Sequence, residues 1–235
     1  MLKINEKLKT KVEKLSDSDG WNHYYEFPGG IKTRQVHVNS PGYCLQKWPR
    51  IETIIGRENF KEKTIVDVGC SDGYFSIYSS FLGAKVTGFD LDPIRIERAN
   101  LAKEILNANN TEFKCDNVFN VKYKNKFDYC FALGFLHRVD DILTCIKNLS
   151  KLSDSLLLEY KTYVSNEDIC FDGKKGTKKK IAGEYNTLYG IPTNVFVENR
   201  LCELGYTEFI FDLDTESRLN FKRTMCLARR GKSNE

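Results

Sequence analysis

At 235 residues, with 41% hydrophobic side chains, 15 Phe and 12 Tyr, the chain has the length and apolar content to bury a substantial core, which excludes disorder. A formal charge of +4 is mildly basic and permits an anionic partner without demanding one. The eight cysteines form no C-x-x-C pair and meet no histidine at finger-like spacing. No metal is therefore expected, and the thiols read as reduced residues of a cytoplasmic protein.

The first residues, MLKINEKLKTKVEKL, alternate charged and apolar side chains and do not form a signal peptide. Leu2, Ile4, Leu8, Val12 and Leu15 fall at near-helical spacing and predict an amphipathic helix over 2–15. The Gly-, Pro- and aromatic-rich stretch 20–43 reads as a loop or lid, and a second helix covers 44–55. The longest apolar run, about 129–136, is far below the ~20 residues of a membrane helix, so no membrane partner is expected.

From residue 63 strands and helices alternate. TIVDV (64–68) predicts a strand and 74–81 a helix; AKVTGF (84–89) predicts a strand, and 93–106 a helix with proline in its first turn. TEFKC (111–115) and FDYCFAL (127–133) are strands, 140–152 a helix, and SLLLEY (155–160) a fifth strand. In these runs Cys115 and Cys130 read as small hydrophobes. A helix is expected to open at Pro192 and stop at Gly205, before a hairpin of TEFIFDL and RTMCLAR. The rhythm predicts an α/β protein with a Rossmann-like, doubly wound, seven-stranded mixed sheet ending in an antiparallel hairpin. An N-terminal helical or lid extension (1–60) precedes the main domain (61–230).

Ligands of open α/β sheets bind beyond the carboxyl ends of the strands. The first strand of the domain ends in Asp67-Val68-Gly69-Cys70-Ser71-Asp72-Gly73, a turn whose glycines permit close backbone approach, and helix 74–81 aims free N–H groups at the same spot. Asp90, about 20 residues on, stands where a carboxylate grips a ribose diol. Asp116 can accept from an exocyclic amine, or simply close an Asx turn, and Asn117 adjoins it. A dinucleotide fingerprint would need glycine at Ser71, and Asp72 would repel a diphosphate. The pattern therefore points to a nucleoside without phosphates, S-adenosylmethionine. Two groups at strand ends, His137 and Glu159, are candidate catalytic bases, each with a plainer alternative as a pocket or strand-end contact.

In VDVGCSDG, VTGFDLDP, FKCDNV, FDYCFALGFLHRVDD and RTMCLAR the chain resembles the class I S-adenosylmethionine-dependent methyltransferases over about 61–230. The resemblance implies cofactor contacts at Asp67, Gly69, Cys70, Ser71, Gly73, Asp90, Leu91, Asp116, Asn117, Leu133 and Gly134. WNHYYEFPGGIKT, QKWPRI, GFLHRVDD and LYGIPTNVFVENRLCELGY are similar to the branch containing the tRNA wobble-uridine carboxymethyltransferases. In that comparison His137 replaces a tyrosine, Arg223 fits a C-terminal arginine, and no upstream lysine finds a counterpart. The implied activity is ordinary methyl transfer to a hydroxyl or nitrogen of a small-molecule or sugar-containing substrate. The alternatives are a tRNA wobble-uridine-modifying methyltransferase and, from another class, a cofactor-binding module without catalysis. The run 173–180, with five lysines, is either a solvated loop or a clamp for a phosphorylated or nucleic-acid substrate, and self-association stays open. Trp21, Tyr24, Tyr25, Tyr185 and Tyr189 either stack on a substrate or form a small lid core.

Overall fold

The computed structural model describes residues 6–17, 20–33, 43–168, 170–173, 189–214 and 222–231. The lysine run and Tyr185 lie outside them. The chain divides into two compact units, 1–120 and 121–235.

The first unit begins with helix α1 (Glu6–Asp17), a two-stranded hairpin β1 (Glu26–Phe27) and β2 (Ile31–Lys32), and helix α2 (Tyr43–Ile55). Then come β3 (Thr64–Val68), α3 (Tyr74–Phe81), β4 (Lys85–Asp90), α4 (Pro93–Leu106) and β5 (Thr111–Cys115). The three larger strands run parallel, Val68 opposite Phe89 and Asp90 opposite Cys115. β3 is buried from Ile65 to Val68, the continuous apolar signature of a strand covered on both faces. Helix α4 starts where its sequence dictates: Asp92 Oδ1 accepts from Ile94 N at 3.0 Å, and Pro93 needs no donor at the first position. It ends at Asn107, in a left-handed conformation (φ 54°) that returns its N–H to the Glu104 carbonyl.

The second unit holds β6 (Tyr129–Leu133), α5 (Ile142–Leu152), β7 (Ser155–Thr162), a small hairpin β8 (Cys170–Gly173) and β9 (Tyr189–Pro192), α6 (Asn194–Cys202), β10 (Tyr206–Asp214) and β11 (Lys222–Arg230). β6 and β7 are parallel, and β11 lies antiparallel between β7 and β10. The seven larger strands make one mixed, Rossmann-like sheet in the order β10-β11-β7-β6-β3-β4-β5.

Some boundaries shift for identifiable reasons. The last helix opens at Asn194, not Pro192, because Pro192 pairs with Cys170 in β9 and Thr193 Oγ1 caps Phe196 N at 3.1 Å. Helix α5 starts after Asp141, whose Oδ1 accepts from Thr144 N at 3.0 Å. The eight cysteines are free thiols, but Cys115 is exposed rather than packed. Among the described residues no helix is long and apolar enough to cross a membrane.

Candidate functional site

In the first unit, the turn after β3 is built from left-handed residues: Gly69 at φ 73°, Ser71 at φ 52° and Gly73 at φ 78°. Gly69 N and Cys70 N both donate to the Phe89 carbonyl, at 2.8 and 2.9 Å, which fastens the turn to the end of β4. Packing requires glycine at position 73. A Cβ there would lie 2.6 Å from the Phe113 ring, and α3 starts directly from it.

The carboxylates of this turn have separate tasks. Asp90 Oδ2 accepts from Ser71 N at 2.9 Å and Oδ1 from Asp92 N at 3.0 Å, so two backbone amides fix its plane at the carboxyl end of β4. Arg95 Nη1 stands 3.8 Å from Oδ2. Asp67 is buried, its Oδ2 accepting from Ser76 Oγ at 2.6 Å, and so ties β3 to α3. Burial raises its pKa to about 7, opposed by the Ser76 hydrogen bond and assisted by Asp90. Because the folded-state value lies above the unfolded one, the native chain holds an extra proton between about pH 4 and 7. Stability therefore falls as pH rises through that window. Asp67→Asn keeps an oxygen for Ser76 and removes the charge. It should stabilise the protein at pH 8 by roughly 2–4 kcal/mol and hardly at all at pH 4. Calorimetry at the two pH values checks this, and equal shifts at both would contradict it.

Asp72 is fully buried. Its Oδ2 accepts from Asn22 N and from His23 N at 3.1 Å, and its Oδ1 lies 4.0 Å from Arg98 Nη1. This attachment of residues 20–33 escapes a reading of local motifs, because its partners stand some fifty positions apart. Trp21, Tyr25 and Phe27 are buried there, Tyr25 and Phe27 stacked at 5.2 Å, so these aromatics are the segment's own core. Lys47 of α2 is 5% exposed, with its ammonium 5.8 Å from the Phe75 ring centroid.

Cys70 reports the field inside the turn. Its thiol is pushed well above the usual range, first by burial and then by the charges of Asp67, Asp90 and Asp72. A diphosphate placed there would meet the Asp90 carboxylate, to which ribose hydroxyls could instead donate. The residues present fit a cationic adenosyl compound. Leu91 is half exposed beside Asp90. Asp116 Oδ1 accepts from the adjacent Asn117 N at 2.6 Å, and Asn117 Oδ1 from Phe119 N at 3.0 Å, which closes an Asx turn after β5.

In the second unit, the end of β6 brings Leu133, Gly134 and His137 to the β7 segment that holds Glu159. Gly134 N donates to the Glu159 carbonyl at 2.8 Å. Along β7 and β11, Arg223 pairs with Lys161 and Met225 with Glu159. With side chains alternating, Glu159, Lys161 and Arg223 project from one face. Arg223 Nη1 donates to Glu159 Oε1 at 2.7 Å and Oε2 at 3.0 Å. Both carboxylate oxygens of Glu159 are thus engaged by the guanidinium.

His137 lies buried beside this pair. Burial, then the Arg223 guanidinium, pushes its pKa down to about 2 against the opposing pull of Glu159, so the ring is neutral at physiological pH. Its Nδ1 accepts from Lys161 N at 3.4 Å, which leaves the proton on Nε2 and makes that atom a donor. Lys161 is held below the ordinary lysine range by burial and by Arg223 and Arg138. Three cations, one carboxylate and a neutral imidazole leave this cluster net positive.

A family model described as a methyltransferase domain matches residues 59–168. The tRNA U34 carboxymethyltransferase of Aliarcobacter butzleri is 26% identical over 161 residues, 63% of this chain and 48% of that protein. Its namesake from Nautilia profundicola is 31% identical over 126 residues, covering 52% of this chain and 40% of that one. The chain thus spans about half the length of these curated relatives. Among solved structures, the N-terminal domain of EvdMO1 with SAH bound has a TM-score of 0.71 at 15% identity, covering 98% of both chains. Magnesium protoporphyrin IX methyltransferase from Synechocystis PCC 6803, with bound SAM, has a TM-score of 0.60 at 19% identity, covering 81% of this chain and 80% of that one. Both likenesses concern the fold.

Proposed function

We propose that this chain, a member of the class I S-adenosylmethionine-dependent methyltransferases, binds that cofactor at the turn after β3 and methylates the wobble uridine of a tRNA. The observation that carries the cofactor assignment is the left-handed Gly69–Ser71 turn fastened to the end of β4, where two backbone amides fix the plane of the Asp90 carboxylate. Asp90 would hold the ribose, the Gly69–Ser71 backbone the amino-acid side of the molecule, and Leu91, Asp116 and Asn117 the adenine. When bound, the cofactor supplies an electrophilic methyl group on a sulfonium. The chain's contribution is alignment, since the transition state disperses charge rather than creating it.

The tRNA acceptor draws its support from the relatives' printed names, which favour it over the small-molecule acceptor the sequence first suggested. The positive cluster of Arg138, Lys161 and Arg223 suits an anionic substrate. In it, His137 acts as a hydrogen-bond donor through Nε2, and Glu159 orients Arg223. A cytoplasmic location follows from a tRNA substrate, and self-association is not required by this reading.

The cofactor assignment predicts that S-adenosylhomocysteine raises the unfolding temperature, while NAD at the same concentration does not. A ligand order of NAD above S-adenosylhomocysteine would end it. The acceptor is tested by label transfer from S-adenosylmethionine to unmodified tRNA, with mass spectrometry of the nucleoside. Salt-dependent tRNA binding and labelled wobble uridine support the proposal. Labelling of small molecules with no tRNA binding restores the earlier reading, and tight cofactor binding without any transfer leaves a binding module.

A further inference from the structure

Four hydrogen bonds bind the 20–33 segment to the turn after β3. Asn22 N and His23 N donate to Asp72 Oδ2, Asn22 Nδ2 to Ser71 Oγ at 2.8 Å, and Tyr25 Oη to the Asp72 carbonyl at 2.8 Å. Ser71 in turn donates its N–H to Asp90 Oδ2 at 2.9 Å. Asn22, Ser71 and Asp90 therefore form one chain of contacts, from the N-terminal segment to the carboxylate assigned to the ribose. Its middle link is a non-glycine residue at φ 52°, a conformation that costs on the order of 1 kcal/mol and persists only where both sides hold it.

Burying a carboxylate is costly unless it is paired and hydrogen-bonded. Asp72 meets that condition through Arg98, whose Nη2 also donates to the Leu15 carbonyl at 3.0 Å and so reaches the end of α1. Asp72 thus spends its charge on the N-terminal segment while sitting one residue from the cofactor turn.

We propose that Asp72 is a positioning residue that locks the Asn22–Tyr25 segment onto Ser71, so that cofactor binding and closure of this segment are coupled through Ser71 and Asp90. The inference rests on the assignment of the cofactor to this turn. Closure stiffens Ser71 and hence the orientation of the Asp90 carboxylate. Occupancy of Asp90 in turn restrains Ser71 and keeps Asn22 in place. Coupling between two such events must be reciprocal.

The test combines calorimetric binding of S-adenosylhomocysteine with hydrogen exchange of residues 20–27, in the native chain and in Asp72→Ala, Asp72→Asn and Asn22→Ala. The ligand is expected to slow exchange of this segment in the native chain. Asp72→Ala and Asn22→Ala should each weaken binding about tenfold and abolish the slowing, with the far-ultraviolet spectrum unchanged. Asp72→Asn keeps an oxygen for the two amides and should recover much of the affinity, a rescue that a purely structural role does not require. If Asp72→Ala fails to fold, Asn22→Ala carries the same expectation alone. Native-like affinity in the variants that fold, with exchange of 20–27 indifferent to ligand, overturns the coupling and spares the cofactor assignment. Failure of the native chain to bind S-adenosylhomocysteine overturns both.

Discussion

Asp90→Ala is expected to weaken S-adenosylhomocysteine binding by roughly a hundredfold or more while leaving the fold intact. Two ribose hydroxyls donating to one carboxylate are charge-assisted bonds, each worth about 1.5–3 kcal/mol, and the loss of such a pair accounts for that factor. The substitution also frees Ser71 N and Asp92 N, which now donate to the two oxygens at 2.9 and 3.0 Å. Asp90→Asn is expected to fare little better. Each oxygen already accepts a backbone N–H, so an amide must turn its NH2 toward one of those donors. Calorimetric titration of both variants, with circular dichroism as the control, decides the matter. Native-like affinity in either variant would remove the ribose from Asp90.

The framework of the fold was legible because its signals are local. The apolar run 64–68 ends in a glycine turn, Asp92-Pro93 opens α4 with a cap and a donor-free first residue, and Asp141 caps α5. Asp90 was legible because its place at a strand end, a fixed distance from the turn, is itself a sequence property. What escaped depends on partners far along the chain. Nothing near Asp72 reveals that Asn22 and His23 bind its carboxylate, and nothing near Gly73 reveals the Phe113 ring packed against it. The surroundings of His137 were not legible either. Burial and Arg223, on a strand added near the end of the chain, take the proton from the ring and leave it a donor. Pro192 misled for the same reason, since its strand partner, Cys170, is remote in sequence.

Cutting the Glu159–Arg223 pair should produce the largest loss of stability, and an unequal one. Glu159 is 2% exposed, whereas the Arg223 side chain is 22% exposed. Arg223→Met takes the guanidinium away from a buried carboxylate, and breaking such a pair typically costs about 3–5 kcal/mol. At ~2–4 °C per kcal/mol for a chain of this size, the unfolding temperature should fall by roughly 10 °C. Lys161, on the same strand face, limits that fall, because removing Arg223 relieves the repulsion that holds its ammonium below the ordinary range. Glu159→Gln should cost less, because Arg223 keeps access to water and an amide oxygen still accepts from it. The double variant Glu159→Leu with Arg223→Met removes both charges and should recover much of the loss of Arg223→Met alone. The same double variant should abolish methyl transfer, since it deletes the guanidinium of the positive cluster. Additive losses in the double variant, or equal losses in the two single ones, would show that the pair is not the buried unit its 2.7 and 3.0 Å contacts describe.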